Sequence, residues 1–139
     1  MYNTLSGVAA TSPSNAWAVG TYDESSANGR TLVLHWNGRS WTRQASPSPA
    51  RGQNELYGVV ALSPSNAWAV GSAGPGSRHH MLVLHWDGHS WTRQATPNLG
   101  ASSLSGVTAT SGSNAWAVGT YGPPTKARTL VLHWNGRKW

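Results

Sequence analysis

The chain has 139 residues, of which 38% are hydrophobic, and ten Lys and Arg against four Asp and Glu give it a net charge of +6. It contains no cysteine, which excludes a disulfide framework and a thiolate metal site. No apolar run is long enough for a transmembrane helix, and the first four residues lack the charged start and apolar core of a signal peptide.

The sequence repeats three times with a period of about 50 residues. The segment N-A-W-A-V-G begins at Asn15, Asn66 and Asn114 without a change, and an L-x-G-V motif begins ten residues before each copy. The central Trp residues of these segments are 51 and 48 residues apart. Self-similarity at a fixed period of this length predicts a repeat architecture.

The first half of each repeat predicts two strands joined by a tight turn. In the first repeat we expect strand one over residues 5–11, a turn over 12–15 and strand two over 16–22. Pro, Ser and Asn in the turn preset its backbone and offer side-chain oxygens to it. Gly20 inside the second strand predicts a close backbone approach, as sheets packed near a central axis would require.

The second half of each repeat predicts a β-hairpin. Residues 31–41 read T-L-V-L-H-W-N-G-R-S-W, and this segment returns at 81–91 and 129–139 with few changes. Apolar runs on both sides of Asn-Gly or Asp-Gly predict a type I′ turn, in which both central residues have positive φ. In that register Trp36 faces Arg39 and Leu34 faces Trp41. The turn glycines are given a structural role: Gly38, Gly88 and Gly136.

Four strands in each of several repeats of this length predict consecutive β-propeller blades. We therefore expect an all-β fold without helices, made of about three four-stranded antiparallel sheets in one array. Blade one covers residues 5–45, blade two 56–95 and blade three 104–139. Blade three lacks most of its fourth strand, so the last blade is incomplete.

The two motifs resemble a known family of repeats. S-P-x-N-x-W-A-V-G followed by L-x-x-H-W-[N/D]-G-x-x-W is similar to the kelch-type and related Trp-rich propeller repeats of bacterial surface and secreted proteins. The resemblance covers nearly the whole chain, although one glycine stands where the kelch pattern has a pair. The segment that starts at Asn37 also resembles the Asp-box hairpin. The resemblance implies a propeller fold and favours an extracellular or cell-surface location.

Tryptophan recurs at fixed places in the predicted strands, which indicates packing between sheets rather than ligand stacking. We expect Arg39 and Arg137 to lie over Trp36 and Trp134 in cation–π contacts. The Trp residues of the fourth strands are expected to be partly exposed. The structural set is Trp17, Trp36, Trp41, Trp68, Trp86, Trp91, Trp116, Trp134 and Trp139.

One histidine recurs in each third strand: His35, His85 and His133. Equivalent positions on successive blades do not converge, whereas a metal needs several ligands around one point. We therefore expect a structural role, with a hydrogen bond to Ser40, Ser90 or a backbone carbonyl. His79 and His80 are adjacent in a loop and point apart, so no metal site and no cofactor is predicted.

The sequence does not indicate an enzyme. It has four carboxylates, Asp23, Glu24, Glu55 and Asp87, and none of them forms the placed pair that a propeller glycosidase requires. It lacks a phosphate-binding loop, a zinc-protease motif and a G-x-S-x-G elbow.

Variation between the repeats indicates a binding face. The turns after strands one and three are nearly invariant, whereas the loops at 23–30, 74–80 and 122–128 and the linkers at 46–55 and 96–103 vary. Blade topology places all of the variable segments on one face, and variable loops on a constant scaffold are typical of binding sites. The candidate binding residues are Asp23, Glu24, Arg30, Arg51, Arg78, His79, His80, Lys126 and Arg128.

The sequence favours a non-catalytic propeller segment that acts as a protein-binding or scaffold module. Two alternatives are a carbohydrate-binding propeller, and a fragment of a larger propeller enzyme whose catalytic residues lie elsewhere. The basic residues are spread along the chain, so no specific nucleic-acid partner is expected. Propellers close with four to eight blades. We therefore expect either continuation in a longer chain, which we favour, or self-association of two chains into a six-bladed ring.

Overall fold

The computed structural model describes residues 2–25 and 28–139, without the side chains of residues 24 and 25. Over these residues the chain forms eleven strands. In chain order they are β1 (Asn3–Ser12), β2 (Asn15–Ser25), β3 (Asn28–Trp36), β4 (Trp41–Gln44), β5 (Gln53–Ser63), β6 (Asn66–Gly74), β7 (His80–Trp86), β8 (Trp91–Arg93), β9 (Ser102–Ser111), β10 (Asn114–Tyr121) and β11 (Arg128–Trp134).

The strands form three antiparallel sheets in which neighbours in sequence are neighbours in space. The first sheet contains β1–β4, the second β5–β8 and the third β9–β11. The helical segments in the described part of the chain are two 3-10 turns, Gly76–Arg78 and Pro124–Lys126. No helix among these residues is long and apolar enough to cross a membrane. The all-β prediction, with consecutive sheets and an incomplete last one, is confirmed.

The predicted hairpin register is wrong by two residues. Trp36 pairs with Trp41 and not with Arg39, so the loop has four residues instead of two. Gly38 has a φ of +92°, but no described residue other than glycine has a positive φ, so Asn37 does not fit a type I′ turn. A shift of two keeps every side chain on its predicted face, because side chains alternate along a strand.

The side chain of Asn37 explains the wider loop. Its Oδ1 accepts hydrogen bonds from the backbone N–H groups of Arg39 at 2.9 Å and Ser40 at 3.0 Å. Asp87 accepts the same two bonds in the second repeat, and these bonds, chiefly the one from Ser90, hold the pKa of Asp87 below its usual value. The Asn37 side chain thus accepts hydrogen bonds from backbone N–H groups that would face the opposite strand if the turn had two residues.

Adjacent sheets pack face to face around one tryptophan of the earlier sheet. Trp17 on β2 is buried against two rings of the second sheet, with ring centroids 5.0 Å from Trp86 and 5.1 Å from Trp91. Trp68 repeats this arrangement against the third sheet, at 5.1 and 5.2 Å from the corresponding two rings. Offset and edge-on ring contacts at these distances are favourable beyond the area that they bury.

The exposure expected for the fourth-strand tryptophans is wrong for Trp91, which is buried because it covers Trp17. Trp41 is exposed as expected, since no described sheet lies against that side of the first sheet. Trp139 is half-buried against Trp68.

The expected cation–π contacts are also absent from the described residues. The shifted register removes Arg39 from the position opposite Trp36, which packs instead against Trp41 with centroids 5.7 Å apart. The cation–π contact observed is that of Arg43, whose guanidinium lies 3.9 Å from the ring centroid of Tyr22.

The histidine of each repeat packs against the tryptophan of its second strand. His35 lies against Trp17 with ring centroids 4.3 Å apart, and its Nε2–H donates to Asn15 Oδ1 at 2.8 Å. The expected bond to Ser40 is wrong, because the wider loop places Thr42 opposite His35. Burial lowers the pKa of His35, and burial likewise lowers that of its counterpart in the second repeat.

The close approach predicted at Gly20 lies within its own sheet and not between sheets. A Cβ at Gly20 would overlap the carbonyl oxygen of Thr4, because β1 bulges there. The sheets approach each other instead at Gly7, where a Cβ would lie 2.9 Å from the Tyr57 carbonyl oxygen and 3.3 Å from Gly58 Cα. The first strands of successive sheets therefore meet backbone to backbone.

We expect Gly38→Val to destabilise the fold by roughly 1–2 kcal/mol more than Arg39→Ala. A β-branched residue is strained at the positive φ of Gly38, and its Cβ would lie 2.9 Å from Ser14 Cβ. Thermal unfolding of the two variants measures the difference. Equal melting temperatures would show that the loop does not need glycine at this position.

We expect stability to fall as the pH is lowered through the ordinary histidine range. Burial holds the folded-state pKa of His35 below the ordinary histidine value of about 6.5, so the unfolded chain takes up the proton first. The contribution is therefore complete above about pH 6.5 and is lost progressively below it. Melting temperatures at pH 7.5 and 5.5 measure the loss, which should be smaller in His35→Gln. Substitution of the exposed His89 by Gln is the control. An equal reduction of this pH-dependent loss in both variants would contradict its assignment to His35.

Candidate functional site

The second linker lies against the variable loops of the second and third sheets. The N–H of Ser102 donates to the carbonyl oxygen of His79 at 3.0 Å, and the N–H of Gly122 donates to that of Ala101 at 2.8 Å. Each bond joins the linker between the second and third sheets to a loop that follows a second strand. The second linker thus connects the variable loops of the second and third sheets.

Asn54 fixes the first linker against the first sheet. This buried side chain donates from Nδ2 to the carbonyl oxygens of Gly29 at 3.0 Å and Ala50 at 2.9 Å. Its Oδ1 accepts the N–H of Ala50 at 2.9 Å. A buried amide that is satisfied in both directions holds the linker in one conformation.

Ser102 performs the same task for the second linker. Its hydroxyl accepts the N–H of Met81 at 3.1 Å and donates to the Gly100 carbonyl oxygen at 3.0 Å. His80 donates from Nδ1–H to that same carbonyl oxygen, also at 3.0 Å. The C-terminal end of the second linker is therefore tied to the start of β7.

A groove of about 450 Å³ lies between the first linker and the second sheet. Its volume is within the range of pockets that bind small molecules. Buried Ala73 and Met81 contribute to its apolar part, whereas the arginines are exposed. We call it the arginine groove; it is lined by Pro49, Ala50, Arg51, Ala73, Gly74, Pro75, Arg78, His80, Met81 and Arg93.

The arginine groove is strongly basic. It has three guanidinium groups and one imidazole, and no carboxylate is among its lining residues. A smaller hollow of about 210 Å³ shares Arg51 with the groove and adds Arg30, which continues the basic surface onto the first sheet. The three arginines of the groove, which has no carboxylate among its lining residues, attract anions and present paired donors to carboxylates or phosphates.

The structure separates the candidate residues into groups. Arg51, Arg78 and His80 line the arginine groove, and Arg30 lies in the adjoining hollow. The other basic candidates do not line it. His79 donates from Nδ1–H to the Gly76 carbonyl oxygen at 2.9 Å.

Two further candidates, Lys126 and Arg128, are exposed on the third sheet away from the groove. Glu24 lies outside the described side chains. The sequence prediction missed Arg93, which follows the invariant W-T in both complete repeats and lines the groove.

Asp23 lies in a separate polar hollow of about 350 Å³. Its Oδ1 is buried and has no hydrogen-bond partner among the residues that the structure describes. Tyr57 donates its hydroxyl to Glu55 in the same hollow, and burial together with that carboxylate raises the pKa of Tyr57 to about 12. We call this the polar hollow; it is lined by Tyr2, Thr4, Ser6, Thr21, Asp23, Gln53, Glu55 and Tyr57.

In the described part of the chain, no three His, Asp or Glu side chains gather closely enough to hold a metal ion.

No protein-family model matches the sequence, and no curated protein matches it. A solved structure of YCF48 bound to D1 peptide is similar, with a TM-score of 0.65 and 15% sequence identity. The similarity covers 99% of this chain and 40% of that one, so this chain spans less than half the length of its structural neighbour. YCF48 is a β-propeller, and the likeness shows that the three sheets are propeller blades.

Proposed function

We propose that this block of propeller blades is a non-catalytic module that binds an acidic peptide segment of a partner protein in the arginine groove. The observation that carries the proposal is the groove itself, with three arginines, a buried apolar part and no carboxylate among its lining residues. It lies on the face where loops and linkers vary between otherwise constant repeats.

The chemistry of the groove suits a segment that alternates apolar and acidic residues. A planar guanidinium donates two parallel N–H bonds to a carboxylate, which fixes the orientation of the ligand as well as balancing its charge. Ala73 and Met81 offer apolar surface for a side chain between two such contacts. Asn54 and Ser102 hold the linkers in place, so little conformational entropy is lost on binding.

The structural neighbour supports a peptide as the class of ligand. YCF48 is seen bound to D1 peptide, so a propeller of related architecture takes a peptide ligand. At 15% identity the likeness carries over no binding residue, and the position of the groove rests on this chain alone.

The test is a titration with an octapeptide of alternating leucine and glutamate, compared with the same peptide carrying glutamine in place of glutamate. We expect the acidic peptide to bind and the amide peptide to bind at least tenfold more weakly, since a hydrogen bond to a charged group contributes about 1.5–3 kcal/mol. Affinity for the acidic peptide should also fall as salt is added, because exposed charges are screened.

Arg78→Ala and Lys126→Ala are a matched pair of charge deletions. Arg78 lines the groove, whereas Lys126 is exposed on the third sheet outside it. We expect Arg78→Ala to weaken binding of the acidic peptide by roughly tenfold or more and Lys126→Ala to change it little. Equal effects of the two variants would mean that net charge, and not the groove, attracts the peptide.

The polar hollow supports carbohydrate binding as a second candidate. It combines the carboxylates of Asp23 and Glu55 with the rings of Tyr2 and Tyr57, and Tyr2 is exposed. Sugars are bound by carboxylates that accept hydroxyl donors and by rings that stack on their apolar faces. A glycan array read with the wild-type chain and with Asp23→Asn tests this candidate. Binding that the substitution abolishes would favour it over the arginine groove.

A further inference from the structure

The third sheet has an apolar face that no described sheet covers. Trp116 is 42% exposed, Val118 46% and Val131 62%, whereas the corresponding Trp and Val residues of the first two sheets are at most 1% exposed. We call Trp116, Val118, Val131 and His133 the trailing face. Exposed apolar residues that adjoin in this way mark an interaction surface.

The first sheet has the complementary uncovered face. Leu5 is 51% exposed, Val8 71% and Trp41 45%. The counterparts of Leu5 are fully buried in the second and third sheets, and the counterpart of Trp41 in the second sheet is 4% exposed. We call Leu5, Val8, Leu34, Trp36 and Trp41 the leading face.

The two uncovered faces are the two halves of the interface that already joins the sheets inside the chain. The trailing face carries the same residue types as the first-sheet side of the first interface, Trp17, Val19, Val33 and His35. The leading face carries the same types as its second-sheet side, Leu56, Val59, Leu84, Trp86 and Trp91. All residues of the trailing face lie on β10 and β11, so this face is complete although the third sheet has no fourth strand.

Both halves already have the geometry of the filled interfaces. Trp116 stacks on His133 with centroids 4.1 Å apart, as Trp68 does on its histidine at 4.1 Å. Trp36 and Trp41 are 5.7 Å apart, and the corresponding pairs that enclose Trp17 and Trp68 are each 5.9 Å apart. Little rearrangement is needed for one face to receive the other, which lowers the entropic cost of association.

We propose that the trailing face of one copy of this chain binds the leading face of a second copy, and that two copies close a six-sheet ring. Contact between two different faces is head to tail. Such a contact gives a closed ring when the rotation from one sheet to the next is a whole fraction of a full turn. Six lies within the four to eight blades of closed propellers. The occupant of each face is thus a second copy, which supplies the same side chains as the internal interfaces.

Light scattering coupled to size exclusion tests the assembly on the 139-residue chain. We expect a discrete species with twice the mass of the 14.8 kDa chain. A single-chain species over the accessible concentration range would overturn the proposal, and so would open polymers of increasing mass.

Charge substitutions test which surfaces are involved. Val131→Glu on the trailing face and Val8→Glu on the leading face should each give a single-chain species. Both positions are exposed in the single chain, so the β-sheet circular dichroism signal should remain. Leu99→Glu is the matched control, because Leu99 is an exposed apolar residue in a linker outside both faces, and it should leave the two-chain species intact.

Mixing the two face variants tests the head-to-tail arrangement. Val131→Glu retains an intact leading face and Val8→Glu an intact trailing face, so an equimolar mixture should restore a two-chain species at raised protein concentration. A mixture that stays single-chain would overturn the pairing of unlike faces. A two-chain species formed by Val8→Glu alone would do the same, since it would show that the trailing face binds itself. The arginine groove takes no part in this test, so the outcome does not depend on the proposed peptide ligand.

Discussion

The insertion of one tryptophan between two tryptophans of the next sheet is the contact on which the rest of the structure depends. Each second strand carries alanine on the opposite face, and Ala67 and Ala69 leave the space that Trp17 fills. Burying about 150–250 Å² of indole contributes about 4–6 kcal/mol at 25 cal/mol per Å². Trp17 Nε1 is buried with no hydrogen-bond partner in the described part of the chain, at a cost of about 1–3 kcal/mol. Burial is the larger of the two effects, so an unpaired indole N–H is tolerated.

The histidine and asparagine of each repeat determine how that tryptophan is held. Asn15 donates from Nδ2 to Thr11 Oγ1 at 2.6 Å, which leaves its Oδ1 to accept the Nε2–H of His35. The histidine ring is thereby oriented against Trp17. In the first repeat this chain of contacts runs from a turn to the sheet interface. The bond between asparagine and histidine recurs in the other two repeats, which gives a reason for the asparagine and the tryptophan that are identical in all three.

The repeat period and the strand pattern allowed the fold to be predicted. The length of the hairpin loop and the lining of the groove depend on local contacts, which the pattern does not show. Asn-Gly between apolar runs is compatible with a two-residue or a four-residue loop, and the bonds accepted by Asn37 Oδ1 select the longer one. The arginine groove could be predicted only in part. Arg51 and Arg78 lie in variable segments, whereas Arg93 belongs to a constant motif and lines the groove because the linker folds over the end of β8.

The position of the arginine groove connects ligand binding to sheet stacking. Arg51 belongs to the linker that leaves the first sheet, whereas Arg78 and Arg93 belong to the second sheet or its loops. A ligand that contacts all three bridges the boundary between two blades, so its binding energy adds to the stability of the stacked state. The constant tryptophan interface lies on the sheet faces, and the groove lies at their edge. Loops along that edge can therefore change without disturbing the contact that keeps the blades together.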